Sequence, residues 1–192
     1  MANSCYVVYK CVGKREQLDE LNAALHLMMD RKMPALEAKW GSTWLGWLVA
    51  ALYGDVDDNK LRGRILDFNY DGEVLTINQE TDWEEQWWLR DFLKDKFPDI
   101  DIYYREEEPS ADVFGTNDAE GRFFPHRYLL ESNDDAQYFH TLEEAAETVA
   151  DIIGHEVAPT EEEIDEALDD FMEEHEEAFF SFHHIKIYES FV

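Results

Sequence analysis

Apolar positions along this chain follow two rhythms, one of period two and one near 3.6, and their alternation lays out the elements. Cys5–Val12 (CYVVYKCV) is rich in β-formers and stops at Gly13, which predicts a first strand. From Lys14 to Arg31 the apolar residues Leu18, Leu21, Ala24, Leu25, Met28 and Met29 fall at helical spacing, and Pro34 follows soon after. Thr43 to Tyr53 carries Trp44, Trp47, Leu48 and Leu52 and stops at Gly54, which reads as a short buried helix. Leu61–Tyr70 and Glu73–Glu80 flank Asp71-Gly72, a pair that favours the tight primed turn of a hairpin. Trp83 to Lys96 reads as a second amphipathic helix with Trp87, Trp88, Phe92 and Leu93 inward, ended by Phe97-Pro98. Ile100–Arg105 reads as a strand, and Asp112–Thr116 and Arg122–Leu130 as two more around the polar turn Asn117–Gly121.

Without the short buried helix, the order is βαββαβ, which predicts an α+β protein with a ferredoxin-like split βαβ antiparallel sheet. Helices over one face of that sheet would bury both amphipathic stripes, and the later strands would widen it. Residues 1–130 form this expected core. Residues 131–192 read as an acidic helix-helix-strand elaboration docked on it. Thr141-Leu-Glu-Glu144 and Thr160-Glu-Glu-Glu163 both fit the capping box that starts a helix. In the second of these helices, roughly Glu161 to Glu177, Ile164, Leu168, Phe171 and His175 share one stripe, with Ala167 and Met172 beside it. Phe179–Phe191 alternates as a terminal strand.

Charge sharpens this picture. The 192 residues include 45 acidic and 16 basic ones, a formal net charge of −29. Residues 141–192 alone hold 17 acidic residues and one basic residue, Lys186. Such a field repels phosphate, so direct nucleic-acid binding and an anionic membrane surface are not expected, whereas a basic protein is an admissible partner. A 45% hydrophobic and 14% aromatic content is far above that of a disordered acidic chain, so a folded domain is expected. Met1-Ala2-Asn3-Ser4 has neither the basic start nor the apolar run of a signal peptide, and Thr43–Tyr53 is shorter than the roughly 20 residues that span a bilayer. Cys5 and Cys11 lie six residues apart in one strand, roughly 20 Å, beyond disulfide reach. A cytoplasmic location follows as an expectation. The sequence assigns no oligomeric state.

Candidate chemistry is sparse. Adjacent strand residues face opposite sides, so His183 and His184 cannot easily share a metal ion, and no His-x-x-x-His or Cys-x-x-Cys pair occurs. Asp55-Val-Asp57-Asp58-Asn59 begins like a calcium loop, but Lys60 and Leu66 stand where the loop needs glycine and a bidentate glutamate. Nucleophile elbows, phosphate loops and dinucleotide fingerprints are missing, so neither a catalytic residue nor a cofactor is assigned and an enzyme is not favoured. The Trp87-Trp88 pair and the Trp40, Trp44 and Trp47 group fit a stacking pocket or, more simply, a core. The acidic helix is the one charged element with a regular pattern. Glu161, Glu162, Asp165, Glu166, Asp169, Asp170 and Glu173 are its candidate partner-binding residues. They are a solvated face, a diffuse binder of divalent cations, or a mimic of a phosphate row offered to a basic groove.

One resemblance adds to this. Thr81-Asp82-Trp83, the helix ending Phe97-Pro98, Tyr103-Tyr104-Arg105-Glu106-Glu107-Glu108-Pro109 and Phe114-Gly115, with the opening Asn3-Ser4-Cys5, resemble the YubB-type ferredoxin-like domain. That family occurs in plasmid, phage and gut-bacterial proteins of unknown function. The sequence departs from it where Glu84-Glu85 follow Trp83 and where Pro109-Ser110 replace an expected glycine. The resemblance implies the fold and a bacterial mobile-element setting, and no catalytic residue. The expectation is a non-enzymatic binding or regulatory module; the alternative is an acidic DNA mimic that inhibits a basic nucleic-acid-binding protein.

Overall fold

The computed structural model describes residues 3–30, 40–57, 60–133 and 135–188. Strand β1 (Ser4–Gly13) leads into helix α1 (Arg15–Met29) and, after a 3-10 turn at Gly41–Thr43, into helix α2 (Leu45–Ala51). Strands β2 (Gly63–Tyr70) and β3 (Leu75–Asp82) form a hairpin, followed by helix α3 (Trp87–Lys96) and strand β4 (Ile100–Glu108). Next come β5 (Val113–Thr116), β6 (Tyr128–Ser132) and β7 (Ala136–Phe139), then helices α4 (Leu142–Ile153) and α5 (Glu161–Glu174). Two short strands, β8 (Phe180–His184) and β9 (Lys186–Ile187), end the described chain. The protein is mixed α+β, and the described residues form two sheets.

The larger sheet has the order β2-β3-β1-β4-β5-β9, antiparallel except for the β5–β9 pair. Period-two alternation makes β1 its centre: Cys5, Val7, Tyr9 and Cys11 are buried on the helix side, whereas Tyr6 is 55% exposed. Leu18, Leu21, Leu25 and Met28 of α1, Leu45, Trp47 and Leu48 of α2, and Leu89 and Leu93 of α3 join that face in one core. Trp44 is buried with them, its indole N–H donating to the Leu61 carbonyl. The smaller sheet, β7-β6-β8, packs Leu130 and Phe139 against Ala146 and Val149 of α4 and Ile164 and Leu168 of α5. Phe114, Leu129 and Ile185 form the seam between the sheets. Each C-terminal helix is capped as expected, the Thr141 and Thr160 hydroxyls accepting from the Glu144 and Glu163 N–H groups at 3.3 Å.

The local differences from expectation have local causes. Strands β2 and β3 are joined through residues 71–74, where the Asp71 carboxylate accepts from the N–H groups of Glu73 (2.9 Å) and Val74 (2.8 Å). That side-chain turn displaces the two-residue primed turn. Residues 122–127 are not strand, because Asp118, fully buried, gathers the N–H groups of Arg122, Phe123 and Phe124 at 3.0, 2.6 and 2.9 Å. The terminal strand is broken at Ile185, which sinks into the seam and donates its N–H to the Arg127 carbonyl at 2.8 Å. Its two halves therefore serve different sheets. The divide expected at residue 130 falls within β6. Pro34, Asp58 and Asn59 and the last residues of the expected terminal strand lie outside the described residues.

Candidate functional site

The seven acidic candidates on α5 are all exposed. At about 100° per residue they sweep roughly half of the helix circumference, one continuous band opposite the buried Ile164 and Leu168. Two features shape its edge. His184 Nδ1 meets Glu161 Oε1 at 3.0 Å, both side chains being about half exposed. Crowding strips water from Asp165, and the Asp169 and Glu161 carboxylates repel it, so its carboxyl lies above the ordinary range. The band sits over a buried apolar stripe and carries like-charge repulsion at Asp165.

The paired histidines of β8 part company, as strand geometry requires. His183 is buried at the junction of the two sheets. Its Nδ1 lies 2.8 Å from Asp112 Oδ1 and its Nε2 3.1 Å from Glu131 Oε2, with the ring against Phe114. Both nitrogens can donate at once only in the imidazolium form. Among the described residues, no group of three or more His, Cys, Asp or Glu side chains could hold a metal ion. Asp57, from the stretch that begins like a calcium loop, pairs with Lys60 at 3.6 Å.

The tryptophans divide in a way that the sequence reading missed. Trp44 and Trp47 are core residues, each 1% exposed. Trp83, Trp87 and Trp88 are 42, 43 and 41% exposed and lie at the head of α3. Helix α3 starts four residues after the expected start at Trp83, and its inward face is not the one expected from Trp87 and Trp88. With Trp87 as the first helical residue, the inward stripe is Leu89 and Leu93, and the two indoles stack on each other with centroids 4.1 Å apart. Two adjacent helical residues point about 100° apart, so the Trp-Trp pair was itself a sign that one ring at least would meet solvent. Trp83 sits at φ 72° in the left-handed region, and its N–H donates to the Asn3 carbonyl at 3.0 Å.

Beside Trp88 opens a pocket of about 320 Å³, walled by Val49, Val56, Leu61, Trp88 and Phe92, with Asp55, Asp57 and Lys60 also lining it. Lys60 Nζ stands 3.9 Å from the centre of the Trp88 ring, a cation–π contact. A second hollow of about 100 Å³, which shares Lys60 and Trp88 with the first, is bounded by Arg62, Glu84, Glu85, Gln86 and Trp87.

Under this surface lies a buried polar network. The expected strand Ile100–Arg105 continues to Glu108, and alternation turns Glu106 and Glu108 into the core, 4 and 1% exposed. Glu85, 5% exposed, accepts from the Tyr9 hydroxyl and from Arg90 Nε at 3.1 Å. Glu106 accepts the Glu85 N–H at 2.6 Å and the Tyr188 hydroxyl. Burial pushes both carboxyls above the ordinary range, against the pull of Arg90 on Glu85 and of the donated hydrogen bonds on Glu106. Burial and the neighbouring Glu106 push the Tyr188 hydroxyl up to about 12. One guanidinium serving two buried carboxylates is a costly arrangement, and it ties β1, α3, β4 and the C-terminal segment together.

Among the described residues, no helix is long and apolar enough to cross a membrane. No family model matches the chain, and no curated protein matches it. A solved structure described as that of an unknown protein from Galdieria sulphuraria is 11% identical over 97% of this chain and 100% of its own, with a TM-score of 0.26.

Proposed function

We propose that this protein is a non-enzymatic binding or regulatory module that engages a partner protein through Trp83, Trp87 and Trp88. In this reading residues 1–130 are a ferredoxin-like split βαβ core, which the antiparallel order β2-β3-β1-β4 supports, and residues 131–192 are an acidic elaboration docked on it. One observation carries the functional part. A protein that buries Trp44 and Trp47 almost completely leaves Trp83, Trp87 and Trp88 about two-fifths exposed along one short stretch of chain, the last two stacked on each other. Tryptophan is the residue most enriched among binding hot spots, and exposing three together has no benefit for folding. We assign the protein to the cytoplasm, a reading that the free, buried Cys5 and Cys11 support. Affinity capture from a bacterial lysate tests the proposal. Replacing the three tryptophans by alanine should abolish retention of the partner at high salt while leaving the melting curve cooperative. Undiminished retention would refute it.

A second reading, a DNA mimic that occupies a basic groove, draws on the exposed carboxylate band of α5. There the partner is a basic nucleic-acid-binding protein, and capture should be salt-sensitive. Reversing Glu162, Glu166, Asp169 and Asp170 to lysine should abolish capture if the band is the contact, and should leave it intact if the tryptophans are.

A further inference from the structure

The pocket at Trp88 has a chemistry of its own. Its walls are apolar and aromatic, and two carboxylates, Asp55 and Asp57, face one ammonium, Lys60. The lining therefore holds a net negative charge beside two π faces, Trp88 and Phe92. The back wall is set by close packing. A β-carbon at Gly54 would come within 2.5 Å of the Phe92 ring, so the chain must pass there without a side chain, pressing Phe92 into place.

Lys60 already shows what the Trp88 ring accepts, an ammonium 3.9 Å above its face. Its hold there is weak. Lys60 and Asp57 are 45 and 46% exposed, and an ion pair so open to water at 3.6 Å adds little. A guanidinium is more weakly hydrated than an ammonium and stacks flat on an indole, so it competes well for that face. An anion would meet the carboxylates and the field of a −29 chain, and a neutral ligand would gain nothing from the negative lining.

We infer that the pocket walled by Trp88 and Phe92, with Asp55 and Asp57 in its lining, is a site for an organic cation of the guanidinium or alkylammonium class. The ligand takes the place that Lys60 occupies on the Trp88 ring. The inference rests on the reading of the tryptophan surface as the contact surface, and it names the group that enters there. Lys60 is then an internal competitor, and its departure from the ring accompanies binding.

The experiment follows the indole N–H resonance of Trp88, identified by its loss in Trp88→Phe, during titration with N-propylguanidinium. The neutral isostere N-propylurea and a short arginine-containing peptide with capped ends are titrated in parallel. Guanidinium should shift this resonance at millimolar concentration and urea should not. Lys60→Ala should tighten guanidinium binding at least threefold by vacating the ring, and Asp55→Asn with Asp57→Asn should weaken it at least threefold. A peptide binding at least tenfold tighter than the free cation identifies a side chain of a protein as the source, and equal binding a free small molecule. Equal shifts with urea, no shift with guanidinium, or a Lys60→Ala variant that binds no better would each overturn the proposal. Partner capture separates the two levels. If capture needs Trp83 and Trp87 while guanidinium leaves Trp88 unmoved, the contact surface stands and the cation site falls. If guanidinium binds while capture ignores all three tryptophans, the reverse holds.

Discussion

The ring of Tyr188 lies directly over Gly115, so closely that a β-carbon on the glycine would run into it. Tyr188 also stacks on Tyr104 and hydrogen-bonds Glu106, and its N–H donates to the Thr116 carbonyl at 2.9 Å. This one side chain fastens β9, a strand of only two residues, to the edge of the larger sheet. Gly115→Ala should lift it off. The expected cost is about 1–3 kcal/mol, the range for overpacking, with amide exchange at Ile187 and Tyr188 accelerated more than exchange in β1. Uniform acceleration through the whole sheet would show that β9 is no separate unit.

Glu106 governs a pH dependence. Burial first, and then the neighbouring charge of Glu84, raises its carboxyl above the ordinary value of 4.5 in the folded protein. The folded form then keeps its proton to a higher pH than the unfolded form does. Stability from this group is fully present below about pH 4.5 and is lost as pH rises through the folded value. Glu106→Gln removes that loss. The variant should unfold at higher urea than the parent at about pH 7.5, and the gap should close on acidification to about pH 4. A gap of the same size at both pH values would contradict the assignment.

Cys5 and Cys11 make a kinetic test of the core. Burial pushes both thiols up to about 12, so neither supplies thiolate at neutral pH and neither is open to solvent. Native protein should resist iodoacetamide for hours at about pH 8, and both cysteines should react within minutes in strong denaturant. Rapid alkylation of one thiol in the native state would mean that β1 opens locally.

On α5, burial and charge should separate cleanly. Leu168→Ala removes a side chain that is 2% exposed and should cost about 2–5 kcal/mol by thermal or urea unfolding. Asp165→Asn relieves the repulsion from Asp169 and Glu161 and should leave stability equal or slightly raised, since like-charge pairs of this spacing each cost about 0.2–0.5 kcal/mol. A large loss from Asp165→Asn would mean that the carboxylate has a structural partner.

Much of this was legible in the residues. Alternation in Cys5–Val12, the helical stripe Leu18 to Met28 and the two Thr-x-x-Glu caps depend on neighbours within a few positions, and each led to the right element. What failed depended on distant partners. Arg105-Glu-Glu-Glu108 looked like the end of a strand because no local rule buries glutamate. Glu85 and Glu106 enter the core because Tyr9 and Tyr188, far away in sequence, arrive with donors beside the nearby Arg90. The terminal strand reads as continuous alternation, yet the seam at Ile185 divides it between two sheets.

The sequence alone determined the helices and the acidic band on α5, because helical period and charge are local properties of the chain. Which tryptophans face water was decided by the tertiary structure. Helix α3 starts only where residues 83–86 are held, with Trp83 bound to Asn3 and Gln86 accepting the Arg62 N–H at 3.0 Å. Packing on the sheet selects Leu89 and Leu93 as the inward face of α3, whereas the adjacent tryptophans record only that one ring at least must meet solvent.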